Sequence, residues 1–193
     1  MEPRLNPAGR RELTKAQNRE TILAAARQVF AQMGFAAATV RDIIRATPLA
    51  SGTFYNYFKS KEEVYQALRD EVALRLRPRL REARAGAATA EAFLSQSFGA
   101  FFAFVAESGQ GRSGPERFRM DSPEVLAGFA ELREDIEAAQ ARGILPPADA
   151  GNLSAALIGV AFELAERIKA GADVEQTTRF ATQLLLRGMS ATA

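Results

Sequence analysis

At 193 residues the chain can bury roughly 70% of its extended surface, enough for one substantial core or for a small module joined to a larger one. It contains no cysteine and no histidine, which excludes disulfides, thiolate nucleophiles, imidazole bases and the usual zinc and transition-metal sites, and with them protease-like triads and zinc hydrolases. The formal net charge of +2 hides an asymmetry: residues 1–61 carry ten Lys and Arg against four Asp and Glu, a net +6, while residues 62–193 carry a net −4. A basic front third suits nucleic acid, although a solvated face has the same composition.

Taken in chain order, the pattern is helical throughout, with no period-two apolar runs and no Asn-Gly or Asp-Gly hairpin signals, so an all-α fold without a sheet is expected. Residues 1–20 lack the apolar core of a signal peptide. Residues 1–14, with Pro3, Pro7, Gly9 and several charges, read as a flexible basic arm. Thr14, with Gln17 three residues on, is a candidate cap for the first helix, in which Ile22, Ala26, Val29, Phe30 and Met33 make one apolar stripe that Gly34 ends. Thr39 caps a short second helix with Asp42 at its third position, and Val40, Ile43 and Ile44 form the buried face. Pro48 forces a turn over residues 47–50. A third helix follows, Ser51–Phe58, and then a Ser60 capping box closing at Glu63 opens a long helix containing Pro78.

Beyond it, Ala90–Glu107 is apolar nearly all round, as a buried central helix would be. Ser108–Pro115 is rich in glycine and reads as a loop. Ser122 with Pro123 starts the next helix, and two more are expected at about Ala148–Ala170 and Val174–Met189. The longest apolar stretches, Phe98–Ala106 and Ala155–Ala161, fall well short of the roughly 20 residues that span a bilayer, so a soluble, cytoplasmic protein is expected. The domain boundaries expected are 1–14 for the arm, 15–61 for a first domain and 62–193 for a second.

Two short helices joined by a four-residue turn fit a helix-turn-helix, whose second helix enters the major groove of DNA. At 100° per residue, Phe54 and Phe58 fall on one side of the third helix and Gly52, Thr53 and Asn56 on the other, with Tyr55 and Tyr57 on the flanks. Asn reads adenine bidentately, Thr and Tyr hydroxyls reach phosphates, and Gly52 permits close backbone approach. Lys59 and Lys61 stand just beyond as candidate phosphate contacts.

The stretch Arg19–Leu68, RETILAAARQVFAQMGFAAATVRDIIRATPLASGTFYNYFKSKEEVYQAL, resembles the DNA-binding domain of the TetR-type regulators, and Gly52–Glu62 (GTFYNYFKSKE) is similar to their recognition-helix signature. The resemblance implies an N-terminal three-helix helix-turn-helix domain, joined by a long helix to a C-terminal ligand-binding and dimerisation domain. It implies palindromic operator DNA as partner, bound by a homodimer through Thr39, Arg41, Ser51, Gly52, Thr53, Tyr55, Asn56, Tyr57 and Lys61. Two departures stand out: Pro48-Leu49-Ala50 replaces the usual Gly-Val-Ser turn, which removes a glycine free to take positive φ and moves the expected cap to Ser51.

In the second domain the resemblance is one of architecture. Ala155, Ala156, Gly159, Ala161 and Ala165 on one helix, with Ala181, Leu184, Leu185 and Gly188 on the next, would suit a four-helix dimer seam, or simply a tight monomer core. The family's ligand cavity would fall among Phe98, Phe101, Phe102, Phe129 and Phe162, with Gln96 or Glu163 orienting a polar group of a small apolar or aromatic effector. No cofactor, metal or catalytic residue is expected. The expected function is a DNA-binding regulator, a repressor released by such an effector. The alternatives are the same fold controlled by a protein partner without a ligand, and an all-α enzyme or carrier.

Overall fold

A computed structural model describes residues 7–108 and 122–190. The described residues form eight helices and no strand: α1 (Pro7–Ala37), α2 (Val40–Arg45), α3 (Ser51–Tyr55), α4 (Lys61–Ala85), α5 (Ala90–Glu107), α6 (Pro123–Ala141), α7 (Ala150–Lys169) and α8 (Val174–Ser190). They fall into two compact units that divide within α4, one reaching Glu71 and the other starting at Val72. The protein is therefore all-α, with an N-terminal helix-turn-helix domain and a C-terminal helical domain.

The first unit is built on apolar positions whose spacing the sequence already shows. Ile22, Leu23, Ala26, Val29 and Phe30 from α1, Ile43 from α2, Phe54 and Phe58 from α3 and its end, and Val64 from α4 are all buried in one cluster. Helix α1 begins at Pro7, earlier than the Thr14 cap that was expected. Residues 11–17 are exposed, so they carry no apolar period by which a helix could be recognised, while Pro7 suits a first helical position. Met33, expected in the apolar stripe, is 43% exposed. Gly34 does end the regular helix: its φ of 78° and ψ of 157° turn the chain, and Phe35–Ala37 continue as a separate turn.

The second unit is organised around α5, whose Phe93, Leu94, Phe98, Phe102 and Phe104 are buried, packed against α7 and α8. Caps at Thr89, Ser122, Asp149 and Asp173 set the helix starts, each accepting the backbone N–H of the third residue of its helix. Within this unit α4 and α6 are joined by charge. Arg77 pairs with Glu131 and, at 2.9 Å, with Glu124, and the buried Arg84 donates to Asp135 at 2.8 Å. Gly128 allows the close approach, since a Cβ there would meet Arg77 Cγ at 3.3 Å. The hydrogen bond from Arg77 holds the Glu131 carboxyl below its usual range. Its stabilising contribution is thus fully present above that range and lost as the pH falls from it through the lowered value of the folded state.

Two residues expected on a dimer seam lie elsewhere. Ala165 and Ala181 are 3% and 0% exposed, in the interior of their own chain. The seam pattern and the core pattern share one stripe of small residues, and the sequence alone does not divide them. No helix among the described residues is long and apolar enough to cross a membrane.

Candidate nucleic-acid interface

The helix-turn-helix starts with a complete capping box. Thr39, extended at φ −120° and ψ 162°, accepts from the Asp42 N–H through its side chain, and the Asp42 carboxylate accepts from the Thr39 N–H at 3.0 Å and from its hydroxyl at 2.6 Å. These bonds, the hydroxyl first, hold the Asp42 carboxyl below its usual range, so it is fully ionised at the positive end of the helix dipole at neutral pH. The departure at Pro48-Leu49-Ala50 is accommodated by Thr47. Its hydroxyl donates to the Ile44 carbonyl at 2.8 Å and accepts from the Leu49 N–H at 3.3 Å, so side-chain bonds hold this turn.

Helix α3 differs from expectation at both ends. Its cap is Ala50, with no side-chain bond, so Ser51 is the first helical residue and its hydroxyl is not the cap. The α-helix proper stops at Tyr55, and Asn56–Phe58 close as a tighter turn, with Tyr57 N–H and Phe58 N–H both donating to the Phe54 carbonyl at 2.9 and 3.0 Å. The expected face is kept through that change. Phe54 and Phe58 are buried, their ring centroids 6.1 Å apart, while Ser51, Gly52, Tyr55 and Asn56 are exposed. Thr53 and Tyr57 are half-buried, and Tyr57 packs partly on the core. Thr39 and Arg41 are exposed at the start of α2.

Lys61 is placed differently from its neighbours on this surface. Its ammonium donates to the carbonyls of Phe35 at 2.8 Å, Ala36 at 3.3 Å and Ala38 at 2.9 Å. It also lies 4.6 Å from the centroid of the Phe35 ring. Nothing in the local sequence signals this, because the acceptors are backbone carbonyls lying 23 to 26 residues earlier.

In the second unit, the five phenylalanines proposed as ligand contacts form one chain of rings. Phe98 stacks on Phe102 at 5.7 Å, Phe102 meets Phe101 at 5.8 Å, Phe101 meets Phe162 edge-on at 5.7 Å, and Phe162 meets Phe129 at 6.4 Å. Phe98 and Phe102 are fully buried, whereas Phe162 is 37% exposed. Gln96 and Glu163 are exposed. The glycine-rich stretch after Ser108 lies outside the described residues. Among the described residues, no group of His, Cys, Asp or Glu is arranged to hold a metal ion.

Residues 22–68 match the family model described as Bacterial regulatory proteins, tetR family. The chain is 30% identical over 102 residues to an uncharacterized HTH-type transcriptional regulator of Haemophilus influenzae, a match covering 52% of this chain and 50% of that protein. The chain thus spans about half the length of this curated relative. Among solved structures, it is similar to the fatty acid degradation regulator FadR from Bacillus halodurans, with a TM-score of 0.72 and 23% identity over 95% of this chain and 97% of the other. It is also similar to FadR from Bacillus subtilis in complex with stearoyl-CoA, with a TM-score of 0.66 and 22% identity over 86% and 96%. At these identities the structural likeness concerns the fold.

Proposed function

We propose, on the match of residues 22–68 to the tetR-family model, that the chain is a homodimeric repressor of the TetR type that binds a palindromic operator and is released from it by a small apolar or acyl effector. The observation that carries the DNA-binding part is the split face of α3. Phe54 and Phe58 anchor it in the core, and Gly52, Tyr55 and Asn56 stand outward on a unit of net positive charge. The exposed amide of Asn56 is assigned to read a base edge, with Arg41, Ser51, Thr53, Tyr55 and Tyr57 assigned to position the phosphates; Thr39, whose hydroxyl and N–H both donate to Asp42, has to release one of those bonds to join them. Asn56→Ala is expected to cost about 1–3 kcal/mol at one base position and to relax preference there, without altering the salt dependence of binding. Competition binding against operators varied one base pair at a time measures this. A uniform loss across all sequences would count against the assignment.

The effector part rests on the ring chain of Phe98, Phe102, Phe101, Phe162 and Phe129, which runs from the core to a partly exposed ring, and on a similar fold seen with stearoyl-CoA. A saturating long-chain acyl compound should raise the melting temperature, by about 2.7 kcal/mol of added stability at a hundredfold excess over Kd, and lower operator affinity. The second reading, a regulator of the same fold without a small-molecule ligand, is favoured by the close packing of Phe98 on Phe102, both fully buried. Unchanged melting across a panel of acyl and aromatic compounds would select it.

A further inference from the structure

Lys61 is the first residue of α4, and a lysine there opposes the helix dipole, whose positive end attracts carboxylates. Glu62 and Glu63 beside it follow the rule; Lys61 does not. Its compensation lies across the unit. The regular part of helix α1 ends at Gly34, a glycine of positive φ, and the chain just past that break turns its carbonyls toward the start of α4. Three of them, from Phe35, Ala36 and Ala38, converge on the Lys61 ammonium, matching its three N–H donors with three acceptors. The Phe35 ring beneath supplies a cation–π contact, and that ring is itself fixed against Phe30 at 5.4 Å and Tyr65 at 4.9 Å.

The segment so tied leads directly into Thr39, the cap of α2. An ammonium with its donors committed in this way must give up protein bonds to bind a phosphate. We propose that Lys61 is a positioning residue of the DNA-reading unit: it fastens the first turn of α4 to the chain entering α2 and so sets the angle at which α2 and α3 meet DNA, without itself neutralising a phosphate. This role rests on the DNA-binding reading above, whereas the contact geometry does not.

The first test needs only the wild-type protein. Brief amine acetylation followed by peptide mass spectrometry should modify Lys61 at least about tenfold more slowly than the exposed Lys59 in the absence of DNA, because its donors are protected in the native state. Equal rates in free protein, with Lys61 protected only when DNA is added, would overturn the proposal. The second test compares Lys61→Met, which keeps the stem over Phe35 and removes the ammonium, with Lys61→Arg, at a temperature where both are folded. Lys61→Met should weaken operator binding about tenfold, leave non-specific binding unchanged, and keep the slope of log affinity against log salt. Lys61→Arg should recover most of the loss. A slope shallower by about 0.9 is the signature of a lost phosphate contact and contradicts the proposal. So does a lower melting temperature with unchanged operator affinity, which would make the lysine a stability element alone. If Lys61→Met does not fold, the labelling result decides. A wild-type protein that binds no DNA refutes the regulator reading and this role together; fast labelling of Lys61 refutes the role alone.

Discussion

Phe54→Ala is expected to destabilise the N-terminal unit by about 3–5 kcal/mol, the usual cost of deleting a fully buried phenylalanine side chain. Phe54 is 2% exposed, and it anchors a helix of only five residues. A helix that short has no stability of its own in water and persists through tertiary packing. Whole domains are stable by about 5–15 kcal/mol, so the loss takes much of what holds the unit together. The second unit has its own cluster around α5. Amide hydrogen exchange should therefore show loss of protection over α1–α3 with protection kept in α5, α7 and α8, and operator binding should be abolished. Unchanged protection in α3 together with unchanged DNA affinity would mean that this helix is held by something other than the Phe54 side chain.

The second large effect is expected at Leu184. On α8, Phe180 and Leu184 are 56% and 50% exposed, and Gly188 has nothing within 4 Å of where a Cβ would stand. On α7, Ala155, Ala156 and Gly159 are exposed and Phe162 is partly so. In the homodimer proposed above, this apolar and small-residue surface would form a close helix–helix seam with the second copy of the chain. Leu185, by contrast, packs on its own core, so a charge there would disturb the monomer as well. Leu184→Glu leaves the isolated chain unaffected but would bury an unpaired carboxylate in a dimer. Light scattering at micromolar concentration should report folded monomers, and loss of bivalent engagement should weaken operator binding by about 10²-fold or more. A folded variant that remains dimeric places the seam elsewhere.

Helix starts were legible where the capping side chain has a recognisable companion in the first turn, as at Thr39 with Asp42 and Ser122 with Pro123. So were the buried faces of the helices whose apolar period is complete, which is why the opposition of Phe54 and Phe58 to Asn56 survives even though α3 ends three residues earlier than expected. Features that leave no periodic trace were not legible. Residues 11–17 of α1 are exposed on all sides, the cap at Ala50 uses no side chain, and the acceptors of Lys61 are backbone carbonyls. The phenylalanines of the second unit were legible as a group. That their rings join into one chain across α5, α7 and α6 depends on rotamers and on the register between those helices, which composition does not encode.

The most direct test of the regulator reading is selection of bound fragments from a random DNA pool by the wild-type protein at near-physiological salt. The expected product is a two-fold palindrome whose half-sites lie about one helical turn, roughly 10 base pairs, apart, as a symmetric dimer presenting two copies of α3 requires. Recovery of a pool with no enriched sequence, from protein shown to be folded and dimeric, would contradict it.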